Sequence, residues 1–208
     1  MMIPLMIDFS GKRVVIFGGG EVGARKAAYF CEETEVTVVS RSFSPAFNEL
    51  TVRRVEMTLA GIGDYELDSL IKEAFLVIAA TQDTTLNDRI GRYCAIRAVL
   101  FNNADGKAGD VTLPSQLRGA HYNIAISTSG ESPGISRFLR EHIGQAYPNL
   151  DLMIEVQDQL RTTLKQKIPD QERRSRILHE VLDDENIWKA LEGGTMPAWE
   201  IIERRYLC

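Results

Sequence analysis

Short apolar runs alternate with segments of helical period through the first half of the chain. Residues 14–17, Val-Val-Ile-Phe, predict a buried strand. Residues 36–39 predict a second strand, 52–57 a weaker third, 75–80 a fourth and 98–101 a fifth. Residues 21–33 carry a helical pattern, and residues 84–97 put Leu86, Ile90, Tyr93 and Cys94 on one helix face. Strands alternating with helices imply a parallel sheet with right-handed crossovers, the doubly wound α/β (Rossmann) class.

The pattern changes after Asn102. Residues 111–113 and 123–127 read as strands separated by a polar turn, which suggests a small hairpin-like sheet. A helix over 134–146 follows, stopped by Tyr147-Pro148. From Asn149 the chain turns helical and charged: Leu150, Met153, Leu160 and Leu164 keep a stripe, and Pro169, Gly193-Gly194 and Pro197 punctuate later helices. Three regions are expected: a Rossmann domain over 1–112, a small α/β region over 113–147 and a helical region over 148–208.

The first predicted strand runs straight into Gly18-x-Gly20-x-x-Gly23, and a helix-compatible segment follows. That order is the context of a dinucleotide-binding turn. Gly18 turns the chain off the strand, Gly20 leaves room for a pyrophosphate against the backbone, and Gly23 lets the helix pack closely on the sheet. The helix N-terminus offers N–H groups and partial positive charge to phosphates. Glu21 and Val22 open that helix and are expected to contact the cofactor.

Bulk properties narrow the classes. With 208 residues, 44% of them hydrophobic, the chain can bury a substantial core. Its start carries no basic segment before an apolar run, and no apolar stretch approaches the roughly 18 residues of a membrane span, so a cytoplasmic protein is expected. A net charge of −5 argues against nucleic acid as the main partner. Cys31, Cys94 and Cys208 are far apart, and with the three histidines they form no metal-ligand spacing. No resident metal is expected.

Four blocks in order resemble the precorrin-2 dehydrogenases, found as free-standing proteins and as the N-terminal module of siroheme synthases. They are Pro4-Leu5-Met6-Ile7-Asp8 leading to Gly11-Lys12 and the glycine turn; Leu76 to Asp83 followed by Leu86-Asn87; Phe101-Asn102-Asn103-Ala104-Asp105; and Ile124 to Pro133 with Arg137, Leu139 and Arg140 behind it. Asn103-Ala104 stands where that family usually has two valines, Ser129 stands where glycine is common, and residues 106–110 are unusually glycine-rich and polar. The resemblance implies oxidation of precorrin-2 to sirohydrochlorin by NAD, in some members joined to iron insertion giving siroheme. It also implies a homodimer built through residues 113–147.

On this reading Asp105, just past the fifth strand, is the proton-accepting carboxylate, because ligands of open α/β sheets bind outside the carboxyl ends of the strands. On the residues alone it is equally an aspartate in a turn beside Gly106. The second strand ends Ser40-Arg41-Ser42 with no carboxylate for the adenosine ribose, so Arg41 and Ser42 are expected at that end of the cofactor. Arg41 would suit a 2′-phosphate; the resemblance implies NAD. Thr81 is expected near the nicotinamide, or as part of a helix cap with Asp83 and Thr84. The resemblance puts Thr128 at the tetrapyrrole pocket. Arg137 and Arg140, three apart on one helix, suit the carboxylates of that substrate or else form a solvated face. The competing function is a nucleotide-sensing regulatory module, which needs neither the carboxylate nor the anion-binding arginines.

Overall fold

A computed structural model describes residues 3–105 and 109–207. Cys208 and part of the glycine-rich stretch 106–110 lie outside the described residues. The chain divides into two compact units, Met1–Leu113 and Pro114–Cys208. The region expected over 113–147, apart from Leu113, and the helical region expected over 148–208 fall within the second.

The first unit is a five-stranded parallel sheet of β1 (Arg13–Phe17), β2 (Glu35–Ser40), β3 (Arg53–Glu56), β4 (Leu76–Ala79) and β5 (Leu100–Asn103). Its order is β3-β2-β1-β4-β5, and β1 pairs with both β2 and β4. The strand order therefore reverses beside β1, which is where such sheets open a ligand crevice. Alternate side chains feed two cores. Val14 and Ile16 of β1, Val36 and Val38 of β2, and Leu76 and Ile78 of β4 pack with Ala24 and Ala27 of α1 (Glu21–Ala28) and with Phe30 and Phe47. Val15, Phe17, Val39, Val77 and Ala79 face the other way, against Leu67 and Ile71 of α2 (Asp64–Ile71) and Leu86, Ile90 and Cys94 of α3 (Thr84–Arg97). A sheet covered on both faces explains why β1 and β4 read as continuous apolar runs.

Several expectations need correction. The helix expected over 21–33 stops at Ala28, because Tyr29, Phe30 and Glu33 turn back onto Lys26, Ala27 and Phe30 and bury the Phe30 ring. The fifth strand is displaced from 98–101: Ala98 caps α3 in the left-handed conformation, and the strand continues into the buried Asn102 and Asn103. Residues 111–113 are not a strand. Val111 donates to the Phe101 carbonyl and Val111 and Leu113 pack on the α1-side core, so their apolar character serves the first unit. Helix α2 was not anticipated between the third and fourth strands.

In the second unit β6 (Ser115–Arg118) pairs antiparallel with β7 (Asn123–Ile126), Leu117 facing Ile124, and Gly119 N–H closes the turn on the Tyr122 carbonyl at 3.0 Å. Helix α4 (Pro133–Ala146) packs on this hairpin, and Ser132 caps it with Pro133 in its first turn. The remaining helices are α5 (Leu150–Lys167), α6 (Gln171–Asp183), α7 (Glu185–Ala190) and α8 (Thr195–Tyr206). The stripe on α5 buries Met153, Val156, Leu160 and Leu164 against Ile177, Val181, Ile187 and Ile202. The Asp151 carboxylate reaches back to the hairpin turn, accepting from the Ala120 and His121 N–H groups at 3.1 and 2.8 Å.

Candidate active site

The glycine turn has the three separate properties its spacing calls for. Gly18 has φ +122°, and a Cβ there would stand 2.7 Å from the Ala80 carbonyl carbon. Both facts exclude other residues. At Gly23 a Cβ would stand 3.0 Å from the Gly18 carbonyl carbon, so the bare α-carbon sets how close α1 lies to β1. At Gly20 nothing of the protein lies within 4 Å of a Cβ. The space above Gly20 is thus left open at the start of α1, a helix with no side-chain cap, where the first N–H groups have no intrahelical acceptor. Glu21 and Val22 are exposed there. This open cradle, walled by backbone, fits the pyrophosphate of a dinucleotide.

The end of β2 folds over the same turn. Ser44 N–H donates to the Gly19 carbonyl at 2.8 Å, and a Cβ on Gly19 would press into Ser40 and the Ser42 carbonyl. Arg41 and Ser42 are exposed beside the glycines, with no carboxylate between them.

Thr81 stands just past β4, its N–H 3.2 Å from where a Gly18 Cβ would lie. The helix cap expected around it is present: its hydroxyl accepts from the Asp83 N–H at 3.2 Å, and Asp83 caps α3 by accepting from the Leu86 N–H at 3.0 Å. The hydroxyl also donates to Asn87 Oδ1 at 2.7 Å. Asn87 is fully buried, and its Nδ2 donates to Asp105 Oδ2 at 2.9 Å. Asp105 itself is exposed, and its N–H donates to Asn103 Oδ1 at 3.1 Å. Gly18, Gly20, Gly23, Arg41, Ser42, Thr81 and Asp105 therefore share one edge of the first unit, beyond the C-terminal ends of β1, β2, β4 and β5. Sequence reasoning included Asn87 in the second family block but gave it no role; its further signal was a polar residue on the apolar face of a predicted helix.

Thr128, Arg137 and Arg140 belong to the second unit. The Thr128 hydroxyl donates to the Ser132 carbonyl at 2.9 Å and lies 3.2 Å from the hydroxyl of the buried Ser136. Arg137 Nε and Arg140 Nη2 both donate to Glu141 Oε1, at 2.8 and 3.2 Å. Hydrogen bonds from Arg137, and secondarily Arg140, hold the Glu141 carboxyl below its ordinary pKa. Sequence reasoning left Glu141 out: the two cations share one anion, so the cluster keeps a single net positive charge. Among the described residues no group of three or more His, Cys, Asp or Glu could hold a metal ion, and no helix is long and apolar enough to cross a membrane.

Comparisons with known proteins bear on the family and the fold. The family described as "Putative NAD(P)-binding" matches residues 5–115, the whole of the sheet and its crevice. The precorrin-2 dehydrogenase of Methanosarcina barkeri is 42% identical over 203 residues, covering 95% of this chain and 90% of that protein. Siroheme synthase 1 of Klebsiella pneumoniae is 34% identical over 86% of this chain, but the match spans only 38% of that longer protein. Among solved structures, SirC, a precorrin-2 dehydrogenase, superposes with a TM-score of 0.70 over 98% of this chain and 100% of its own at 22% identity, which speaks for the shared fold. By its close relative and its nucleotide-binding half, the chain belongs to the precorrin-2 dehydrogenase family.

Proposed function

We propose that this protein oxidises precorrin-2 to sirohydrochlorin with NAD, Asp105 accepting the proton released as the hydride departs. The observation that carries this reading is the Asp105 carboxylate on the crevice edge that also holds the glycine turn, tied through Asn87 to Thr81. When bound, NAD supplies the hydride acceptor. The chain's own residues do the rest. Gly20 and the N–H groups of Glu21, Val22 and Gly23 hold the pyrophosphate, Arg41 and Ser42 flank the adenosine ribose, and Thr81 borders the nicotinamide. Asp105, exposed and anchored by one oxygen, takes a proton from the macrocycle. Arg137 and Arg140 give up part of their pairing with Glu141 to meet substrate carboxylates, and Thr128 hydrogen-bonds the same substrate.

The protein works as a homodimer through the region expected over 113–147. A two-stranded sheet is marginal by itself, and the outer edges of β6 and β7 invite pairing with a second copy. Ile135 and Phe138 of α4 are 50% and 60% exposed, an apolar surface consistent with such a contact. Light scattering at micromolar concentration tests this; a fully active monomer excludes it.

Anaerobic incubation with precorrin-2 and NAD tests the reaction. NADH and sirohydrochlorin are expected in equal amounts, and Fe²⁺ added afterwards shows whether iron insertion follows. Tight NAD binding without turnover of precorrin-2 would instead identify a nucleotide-sensing module.

A further inference from the structure

We infer that Asn87 is a positioning residue for the reaction, a buried amide that holds the Asp105 carboxylate at the crevice and couples it to Thr81. The inference rests on the reading of Asp105 as the proton acceptor. Asn87 is the fourth residue of α3 and is 0% exposed, unusual for an amide on a helix face otherwise buried as Leu86, Ile90 and Cys94. Its amide is fully committed. Oδ1 accepts from the Thr81 hydroxyl at 2.7 Å and, at 3.4 Å, from the Thr81 N–H; Nδ2 donates to the Thr81 carbonyl at 3.1 Å and to Asp105 Oδ2 at 2.9 Å.

These partners fix which way the amide points. A backbone N–H can only donate and a carbonyl can only accept, so Oδ1 faces the Thr81 N–H and Nδ2 faces the Thr81 carbonyl. The second Nδ2 hydrogen is then directed at Asp105. Of the four groups bound by Asn87, two are Thr81 backbone, one is the Thr81 hydroxyl, and the fourth is the carboxylate of an exposed residue. The Thr81 loop offers Nδ2 one acceptor, its carbonyl, so the second hydrogen of this buried amide is satisfied at Asp105. The bond to Asp105 spans from helix α3 to the residue two beyond β5, and it engages Oδ2 so that the proton is taken on Oδ1.

The test compares Asn87→Ser with wild type, each also in an Asp105→Asn background, under anaerobic conditions with precorrin-2 and NAD. Thermal unfolding and NAD titration establish that each variant is folded. In the wild-type background kcat is expected to fall about 10–100-fold, within the range for misplacing a general base, while NAD affinity and the KM for precorrin-2 change by less than about threefold. In the Asp105→Asn background the same substitution is expected to be nearly silent in kcat, because a residue acting through Asp105 has nothing left to position. Equal fold-losses in both backgrounds, or unchanged kcat in a folded Asn87→Ser protein, overturn the inference. Wild-type turnover by Asp105→Asn itself overturns the underlying reading instead. Should Asn87→Ser fail to fold, Asn87→Gln, which keeps an amide but displaces it, decides by the same comparison: a kcat loss that disappears in the Asp105→Asn background is expected, and equal losses in both backgrounds overturn the inference.

Discussion

Substituting alanine at Gly20 and at Gly23 separates the ligand from the fold, because the two glycines are small for different reasons. At Gly23 the added methyl meets the Gly18 carbonyl carbon at 3.0 Å and its oxygen more closely still. Those atoms are backbone and cannot rotate away, so α1 must lift off β1, an overpacking cost of about 1–3 kcal/mol. At about 4 °C per kcal/mol, Tm should drop by about 4–12 °C. Gly20 has φ −80° and ψ −174°, open to any residue, and its methyl meets no protein atom within 4 Å. Only the small preference for glycine over alanine at an N-cap is lost, about 0.5 kcal/mol or ~2 °C. The same methyl occupies the space reserved for the pyrophosphate, so NAD affinity should fall at least about tenfold, ~1.4 kcal/mol. Scanning fluorimetry and calorimetric titration with NAD read both effects. If Gly20→Ala destabilises as much as Gly23→Ala, or binds NAD like wild type, the assignment of the open cradle is wrong.

Further outcomes follow from other parts of the molecule. Burial pushes the Cys94 thiol up to about 12, so Cys94 should resist alkylation at mildly alkaline pH until the first unit unfolds, while the partly exposed Cys31 reacts; peptide mass mapping separates them. Arg97 grips Asp68 through Nε and Nη2 at 2.7 and 2.6 Å, and that hydrogen bonding lowers the Asp68 pKa. A depressed carboxylate stabilises above its unfolded value and loses that contribution as pH falls through its folded one. The Tm gap between wild type and Arg97→Ala should therefore close below about pH 4; a gap constant down to about pH 2 refutes this. Replacing Arg137 and Arg140 together by alanine should raise the KM for precorrin-2 at least about tenfold with NAD affinity unchanged, since at least one cation beyond Glu141 is lost; an unchanged KM assigns them to a solvated face.

The parts of this fold legible in the sequence are those dictated by backbone and solvent. Gly18 and Gly23 stand at positions where any side chain would strike backbone, and the apolar runs of β1 and β4 follow from burial on both faces. What escaped sequence reading are residues whose character is set by partners distant in the chain. Asn102 and Asn103 look like turn residues, yet both sit buried in β5 because Asn102 Nδ2 finds the Val111 carbonyl and Asn103 Oδ1 finds the Asp105 N–H. Val111 and Leu113 look like a strand, yet serve the core beside α1. Asn87 has the same origin: its tolerance inside α3 depends on Thr81, six residues earlier, and Asp105, eighteen later. Glu141 was within reach of local reasoning, being four residues past Arg137, but only the geometry brings both arginines onto one of its oxygens.

The central claim is that Asp105 carries the proton transfer of an NAD-dependent oxidation. It is tested most directly by the anaerobic rate of NADH formation from precorrin-2 in Asp105→Asn beside wild type. The amide keeps the size of the carboxylate and can still meet Asn87, but it cannot accept the proton. The rate is expected to fall about 10²–10⁴-fold with NAD affinity unchanged. Turnover at the wild-type rate would show that Asp105 is a turn residue and contradict the account.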